Sequence, residues 1–133
     1  MDSILDTIKK LLDISLDDDS FDNDIIIHIN SAIDTLRQLG VGPKSGFRIT
    51  DKSSNWDDYI KEEGFRPNII DYIYVSVKLI FDPPLSSFVL ESLSRKKDEL
   101  EFRLLTDYDA GGDFNGWWIH CINRIWWALS SWG

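Results

Sequence analysis

Histidine and cysteine, the side chains that most often ligate metals or move protons, are nearly missing from this chain, with two histidines and one cysteine among 133 residues. A lone Cys121 excludes an intrachain disulfide. His28, His120 and Cys121 together fall short of the four ligands a structural zinc needs. No phosphate-binding glycine motif stands in a nucleotide-binding βαβ setting, and no internal repeat or low-complexity tract appears. Long apolar runs are absent too: no uncharged stretch reaches the roughly 18 residues needed to span a bilayer. The start, Met1-Asp2-Ser3, lacks the basic residues and apolar run of a secretion signal, so the chain is expected in the cytoplasm of its cell. Cations are also in deficit. With 14 Lys and Arg against 23 Asp and Glu, the net charge of −9 disfavours tight binding to nucleic acid, where affinity comes from cations that release counterions. An acidic surface suits a soluble protein, or a channel wall that DNA slides past.

What is present is enough for one packed core. Hydrophobic residues make up 43% and aromatics 13%, well above a chain unable to collapse, and the length allows one domain with an appendage. The apolar spacing predicts an all-α bundle of about five helices. Ile4, Leu5, Ile8, Leu11 and Leu12 form one helical face, with Asp2 and Asp6 near the positive end of its dipole. Past an acidic turn, Ser20 or Asp22 is placed to cap a second helix with the stripe Ile25, Ile29, Ala32 or Ile33, Leu36 and Leu39, stopped by Gly40.

Three glycines and a proline between Gly40 and Gly46 force an extended loop, and Phe47-Arg48-Ile49-Thr50 alternates like a brief strand at the end of an exposed finger. Trp56, Tyr59 and Ile60, after a cap at Ser54 or Asn55, give a short third helix ending by Gly64. Pro67 opens a fourth helix whose apolar residues, Ile69 through Phe81, nearly encircle it, which marks it as central. Asp82-Pro83-Pro84 ends it. A fifth helix, capped by Ser86 or Ser87, buries Leu90, Leu93, Leu100 and Leu104, with Lys97 interrupting the row and a charged opposite face. From Thr106 the composition changes to a polar hinge, followed by a tail holding five of the six tryptophans. The expected division is therefore a helical domain over 1–105 and a hinge with a Trp-rich appendage over 106–133.

Candidate chemistry is sparse, and no catalytic residue, cofactor or metal is expected. His28, between isoleucines of the second helix, reads as a core-edge residue. A calcium loop begun at Asp13 has Asp18 where glycine is required and Asp24 where a bidentate Glu belongs; one begun at Asp107 ends on Trp118. Both read better as a solvated turn and a linker. Arg95-Lys96-Lys97, the only compact basic run, sits among acids and reads as a soluble face. The tail offers more. Trp117, Trp118, Trp126, Trp127 and Trp132 have the size and low entropy cost of interface anchors, against the alternatives of folding back on the core or lying at a membrane surface.

Several segments taken jointly resemble the head-tail connector (adaptor, head-completion) family of tailed bacteriophages. They are Asp19 to Ala32, Leu39-Gly40-Val41-Gly42-Pro43, Tyr72-Ile73-Tyr74-Val75, Leu79 to Pro84, and Ser86 to Glu91. The resemblance covers about residues 1–104, not the tail. It implies a structural, non-enzymatic subunit that forms a homo-oligomeric ring under the portal protein, meets downstream head-completion or tail proteins, and leaves a channel in which DNA is only passing cargo. It also implies a place in the virion after assembly in the bacterial host. Phe47, Arg48 and Ile49 of the loop, with the five tail tryptophans, are the candidate oligomer or portal contacts. A competing expectation is a small interaction module whose tail binds a host protein or membrane. Co-sedimentation with liposomes separates the two: a connector stays in the supernatant, and a pellet carrying the protein favours the module.

Overall fold

A computed structural model of the chain describes residues 3–110, with side chains through Thr106. Five α-helices follow one another: α1 (Ile4–Leu11), α2 (Asp22–Gln38), α3 (Trp56–Tyr59), α4 (Arg66–Phe81) and α5 (Ser87–Ala110), with a single 3-10 turn at Glu63–Phe65 before α4. Among the described residues there is no strand, and the all-helical expectation holds.

Local chemistry sets the ends of these helices. Ser3 caps α1, its hydroxyl accepting the Asp6 amide, and Lys9 and Lys10 lie in the last turn, where the dipole favours cations. Both α1 and α2 stop in the same way. At α2 the Val41 and Gly40 amides donate back to the Leu36 and Arg37 carbonyls, with Gly40 at φ 93°. At α1 the Ile14 and Asp13 amides donate to the Lys9 and Lys10 carbonyls, with Asp13 itself at φ 60°. This paired-carbonyl stop normally employs glycine because a Cβ is strained there. The start of α2 differs from expectation. Phe21 stands at the cap position without a side-chain bond, and Ser20 is engaged with Asp18 instead. Asn55 opens α3, its amide donating to the Asp58 carboxylate.

Helix α4 is the middle of the structure, packed against α1, α2 and α5. Ile69, Tyr72, Ile73, Val75 and Val77 are all buried along it, as a helix apolar on most sides requires. Helix α2 turns Ile25, Ile29, Ala32, Ile33 and Leu36 inward, as its stripe predicts. The Asp82–Ser86 connection is short, so α5 doubles back along α4, bringing the Tyr72 hydroxyl within 2.8 Å of the Glu101 carboxylate it donates to. Lys97, the break in the α5 row, lies with its ammonium 5.9 Å above the Tyr72 ring and so turns inward in spite of its charge.

Three expectations change. Leu11 is exposed, and Lys9 takes its place on the inner side of α1, only 1% exposed. Its ammonium pairs with Asp22 at 2.8 Å and donates to the Asp18 carbonyl at 2.7 Å, so the first acidic turn is tied across to the start of α2. Leu90 is partly exposed, leaving Leu93, Leu100, Leu104 and Leu105 to hold α5 to the core. Finally, α5 continues through Thr106–Ala110, residues that composition assigned to the hinge. Polar residues such as Asp107 and Asp109 do not end a helix that lacks a glycine or proline, and the first glycine comes at 111.

Replacing Lys9 by Met keeps the length of the side chain but leaves the Asp22 carboxylate and the Asp18 carbonyl without their donor. Urea unfolding should show a loss of about 2 kcal/mol, below the full cost of breaking a buried pair because Asp22 is partly solvated. A loss under about 0.5 kcal/mol would mean that the ion pair is dispensable.

Candidate interaction surfaces

The segment after α2 lies down on the bundle. Val41 is buried, and Gly42, at φ 91°, passes so close to Tyr59 that a Cβ there would stand 2.9 Å from the ring. Phe47 then stacks on the other part of that environment, its ring centroid 5.0 Å from that of Tyr59 at an interplanar angle of 23°. Ile49 enters the core and is 1% exposed. Its backbone is served by one side chain: Asn30 of α2 accepts the Ile49 amide at 2.8 Å and donates to the Ile49 carbonyl at 2.9 Å. The alternation Phe47-Arg48-Ile49-Thr50 therefore marks an extended stretch with one side buried, but the partner of its backbone is an amide side chain and not a second strand.

This corrects the picture of an exposed finger. Ile49 is unavailable to a neighbouring molecule while the bundle is folded, and Phe47 is half-buried against Tyr59. Arg48, between them, is exposed. Together with the outer face of α2 the segment encloses an open groove of about 710 Å³, with Ile27 and Phe47 as its apolar lining and Arg37 and Arg48 at its polar edge. Ile27 is 62% exposed, on the side of α2 turned away from α4. Arg37 is held along the helix by Asp34 at 2.9 Å.

A second apolar surface went unnoticed in the sequence. Where α4 ends and α5 begins, Ile80, Leu85, Phe88, Val89 and Leu90 are exposed, Leu85 fully and Phe88 to 77%. Nearby, Phe21 packs edge-on against Phe81 at 5.5 Å, so the start of α2 borders the same corner. Its signal was the run Phe88-Val89-Leu90: three consecutive helical residues point in three directions, and a helix flanked by only one partner cannot bury them all. An exposed cluster of this kind marks a contact surface more often than an isolated apolar residue does. The tail tryptophans Trp117, Trp118, Trp126, Trp127 and Trp132 lie outside the described residues.

The titratable groups with displaced pKa values have local structural causes. Hydrogen bonds from the Ser20 hydroxyl and amide hold the Asp18 carboxyl below its usual range, and Ser53 does the same for Asp51. Both are small turns closed by an aspartate. Burial, followed by the adjoining Glu101 carboxylate, pushes the Tyr72 hydroxyl well above its usual value. The acidic turn contributes Asp17, Asp19 and Asp22 to a depression of about 600 Å³ beside Asp51. Asp13 is occupied in the helix stop and Asp22 with Lys9. Among the described residues, no three His, Cys, Asp or Glu side chains converge as a metal site. Of the basic run, Arg95 pairs with Glu91 at 2.7 Å and Lys97 leans over Tyr72.

A family model described as Phage connector protein matches residues 4–111. Its limits coincide with the described bundle, from the first residue of α1 to the residue after α5. No curated protein and no solved structure matches the chain.

Substituting Asn30 by Ala removes both bonds to Ile49 and leaves a mostly buried amide and carbonyl unserved. A loss of roughly 2 kcal/mol in stability is expected, with faster amide hydrogen exchange at Ile49 than in α4. Unchanged exchange at Ile49 would show that burial of its side chain alone fixes the segment.

Proposed function

Because the chain belongs to the phage connector protein family, a family of structural proteins joining phage head and tail, we propose that it works as a ring-forming subunit beneath the portal. In this reading the ring closes the head-tail junction after DNA is packaged, offers its far side to head-completion or tail proteins, and leaves an axial channel. The observation that carries it is the extent of the family match, which runs through all five helices rather than a single motif.

Two features of the chain support the finer points. The bundle presents two separate surfaces, the apolar α4–α5 corner and the mixed polar and apolar groove on α2, as a subunit with a neighbour on each side requires. Its net charge of −9 suits a channel through which DNA passes without being held. The Trp-rich residues of 111–133 are assigned to the portal, because clustered large aromatics make efficient anchors. Assembly takes place in the host cytoplasm, and the finished protein resides at the head-tail junction of the virion. Among the described residues, no helix is long and apolar enough to cross a membrane. The alternative, a host-protein or membrane ligand, rests on the tail alone.

Disruption of the gene in its parent phage or prophage tests this reading. Electron micrographs of the induced lysate should show free tails beside heads that packaged DNA but failed to retain or join it. Normal joined particles would overturn the proposal.

A further inference from the structure

The corner where α4 ends and α5 begins lies open to water among the described residues, with Leu85 fully exposed, Phe88 to 77% and Ile80 to 60%. Its rim has no charge to spare. Asp82 is paired with Lys78 at 2.6 Å and Glu91 with Arg95 at 2.7 Å, so the corner is apolar area framed by ion pairs already closed within the subunit. A surface of that character suits an apolar and nearly uncharged occupant, and monomers rarely leave such a patch open. The chain itself contains one. Residues 114–133 hold five tryptophans and a single Asp, Glu, Lys or Arg residue, Arg124, in a protein that is 28% charged.

We infer that in the free subunit this segment returns along α5 and covers the corner of its own molecule, with Trp126 and Trp127 against Leu85 and Phe88. Length decides which tryptophans arrive. Helix α5 ends at Ala110, and Phe88 lies about 33 Å back along it at the helical rise per residue. Trp117 and Trp118 follow Ala110 by seven and eight residues, and even a fully extended chain carries them only about 24–27 Å, short of the corner. Trp126 has a reach of about 54 Å if the intervening chain is extended, and still about 35 Å if residues 117–126 coil as a helix, so it arrives either way. Gly111-Gly112, directly after α5, are the residue types that reverse a chain at least steric cost. Tethering then favours this occupant over a free partner, because a segment held within reach meets its site at an effective concentration of about millimolar. The pairing does not rest on the connector reading. Portal binding by the same tryptophans belongs to the assembled particle, where it competes with this contact.

Tryptophan emission of the full chain tests the pairing. Trp56, the one tryptophan outside the tail, is 3% exposed and its indole donates to Thr7 at 3.0 Å, so changes in emission report the tail. Leu85→Lys combined with Phe88→Lys should move the emission maximum to longer wavelength and raise quenching by acrylamide. Both positions are exposed, so circular dichroism should match the wild type; Leu85→Ser with Phe88→Ser takes their place should the charged variant unfold. Wild-type emission should hold on dilution from about 100 μM to about 1 μM, because an intramolecular contact does not depend on concentration. A nitroxide on Cys121, the only cysteine, should broaden the amide resonances of Leu85 to Leu90 in the molecule that carries it, and the double variant should sharpen them again. Emission unmoved by the double variant, or corner amides left sharp by the nitroxide, would overturn the pairing. Broadening that appears only on isotope-labelled chains mixed with nitroxide-bearing ones would overturn it in favour of a second copy. A wild-type tail quenched as freely as that of the double variant until phosphatidylglycerol vesicles are added would overturn it in favour of a membrane. None of these results bears on the connector role, which particle imaging decides separately.

Discussion

Helix α4 is the element from which the other helices take their places. Its residues Ile69, Tyr72, Ile73, Val75 and Val77 are buried on successive sides, so it needs α1, α2 and α5 around it to leave water. Each such side chain contributes about 1.5–3 kcal/mol when fully buried, enough that no neighbouring helix can leave without a large penalty. The polar groups along this contact are matched accordingly. Ser76 donates to the Tyr72 carbonyl, Tyr72 donates to Glu101, and Lys97 lies on the Tyr72 ring. At the N-terminal end of α4, Arg66 donates to the Ile60 carbonyl at 2.9 Å and pairs with Asp57, fixing α3 to the start of the central helix.

What lies outside that core follows from it. Helix α1 is tied to α3 by the bond from the Trp56 indole to Thr7 and by the Ile4 amide donating to the Ser54 carbonyl, and to the start of α2 by Lys9. Helix α2, with one face committed to α4, has its opposite face left to form the groove. Helix α5 is longer than the α4 surface it covers, and its first turns therefore carry apolar residues past the core. The two candidate contact surfaces are thus consequences of one packing arrangement: α2 turns only one face to α4, and α5, with 24 residues against the 16 of α4, runs past its end.

The helices were largely legible in the sequence because periodicity and stop signals agreed. Gly40 ends α2, Pro67 lies in the first turn of α4, and Pro83-Pro84 follow its end, all as their chemistry predicts. Two of the failures share a cause, namely partners distant in sequence. A lysine on the inner side of α1 is read as surface until Asp22 and the Asp18 carbonyl are seen beside it. The alternation of residues 47–50 is read as a strand until Asn30, on α2, is found serving Ile49. The corner was missed because periodicity shows which residues share a face, but not where the neighbouring helix stops. Of the contact residues proposed from sequence, Arg48 is exposed and Ile49 is core, a distinction that polarity alone favoured and the finger picture obscured. The connector resemblance, by contrast, rested on caps, stops and core stripes, and the family match covers those same segments.

The most direct test of the account is electron cryomicroscopy of the head-tail junction in intact particles of the parent phage. A ring of these five-helix bundles beneath the portal, with α4 innermost in each subunit and an open axial channel, is the expected density. A junction whose density is filled by other proteins, with no place for this bundle, would contradict it.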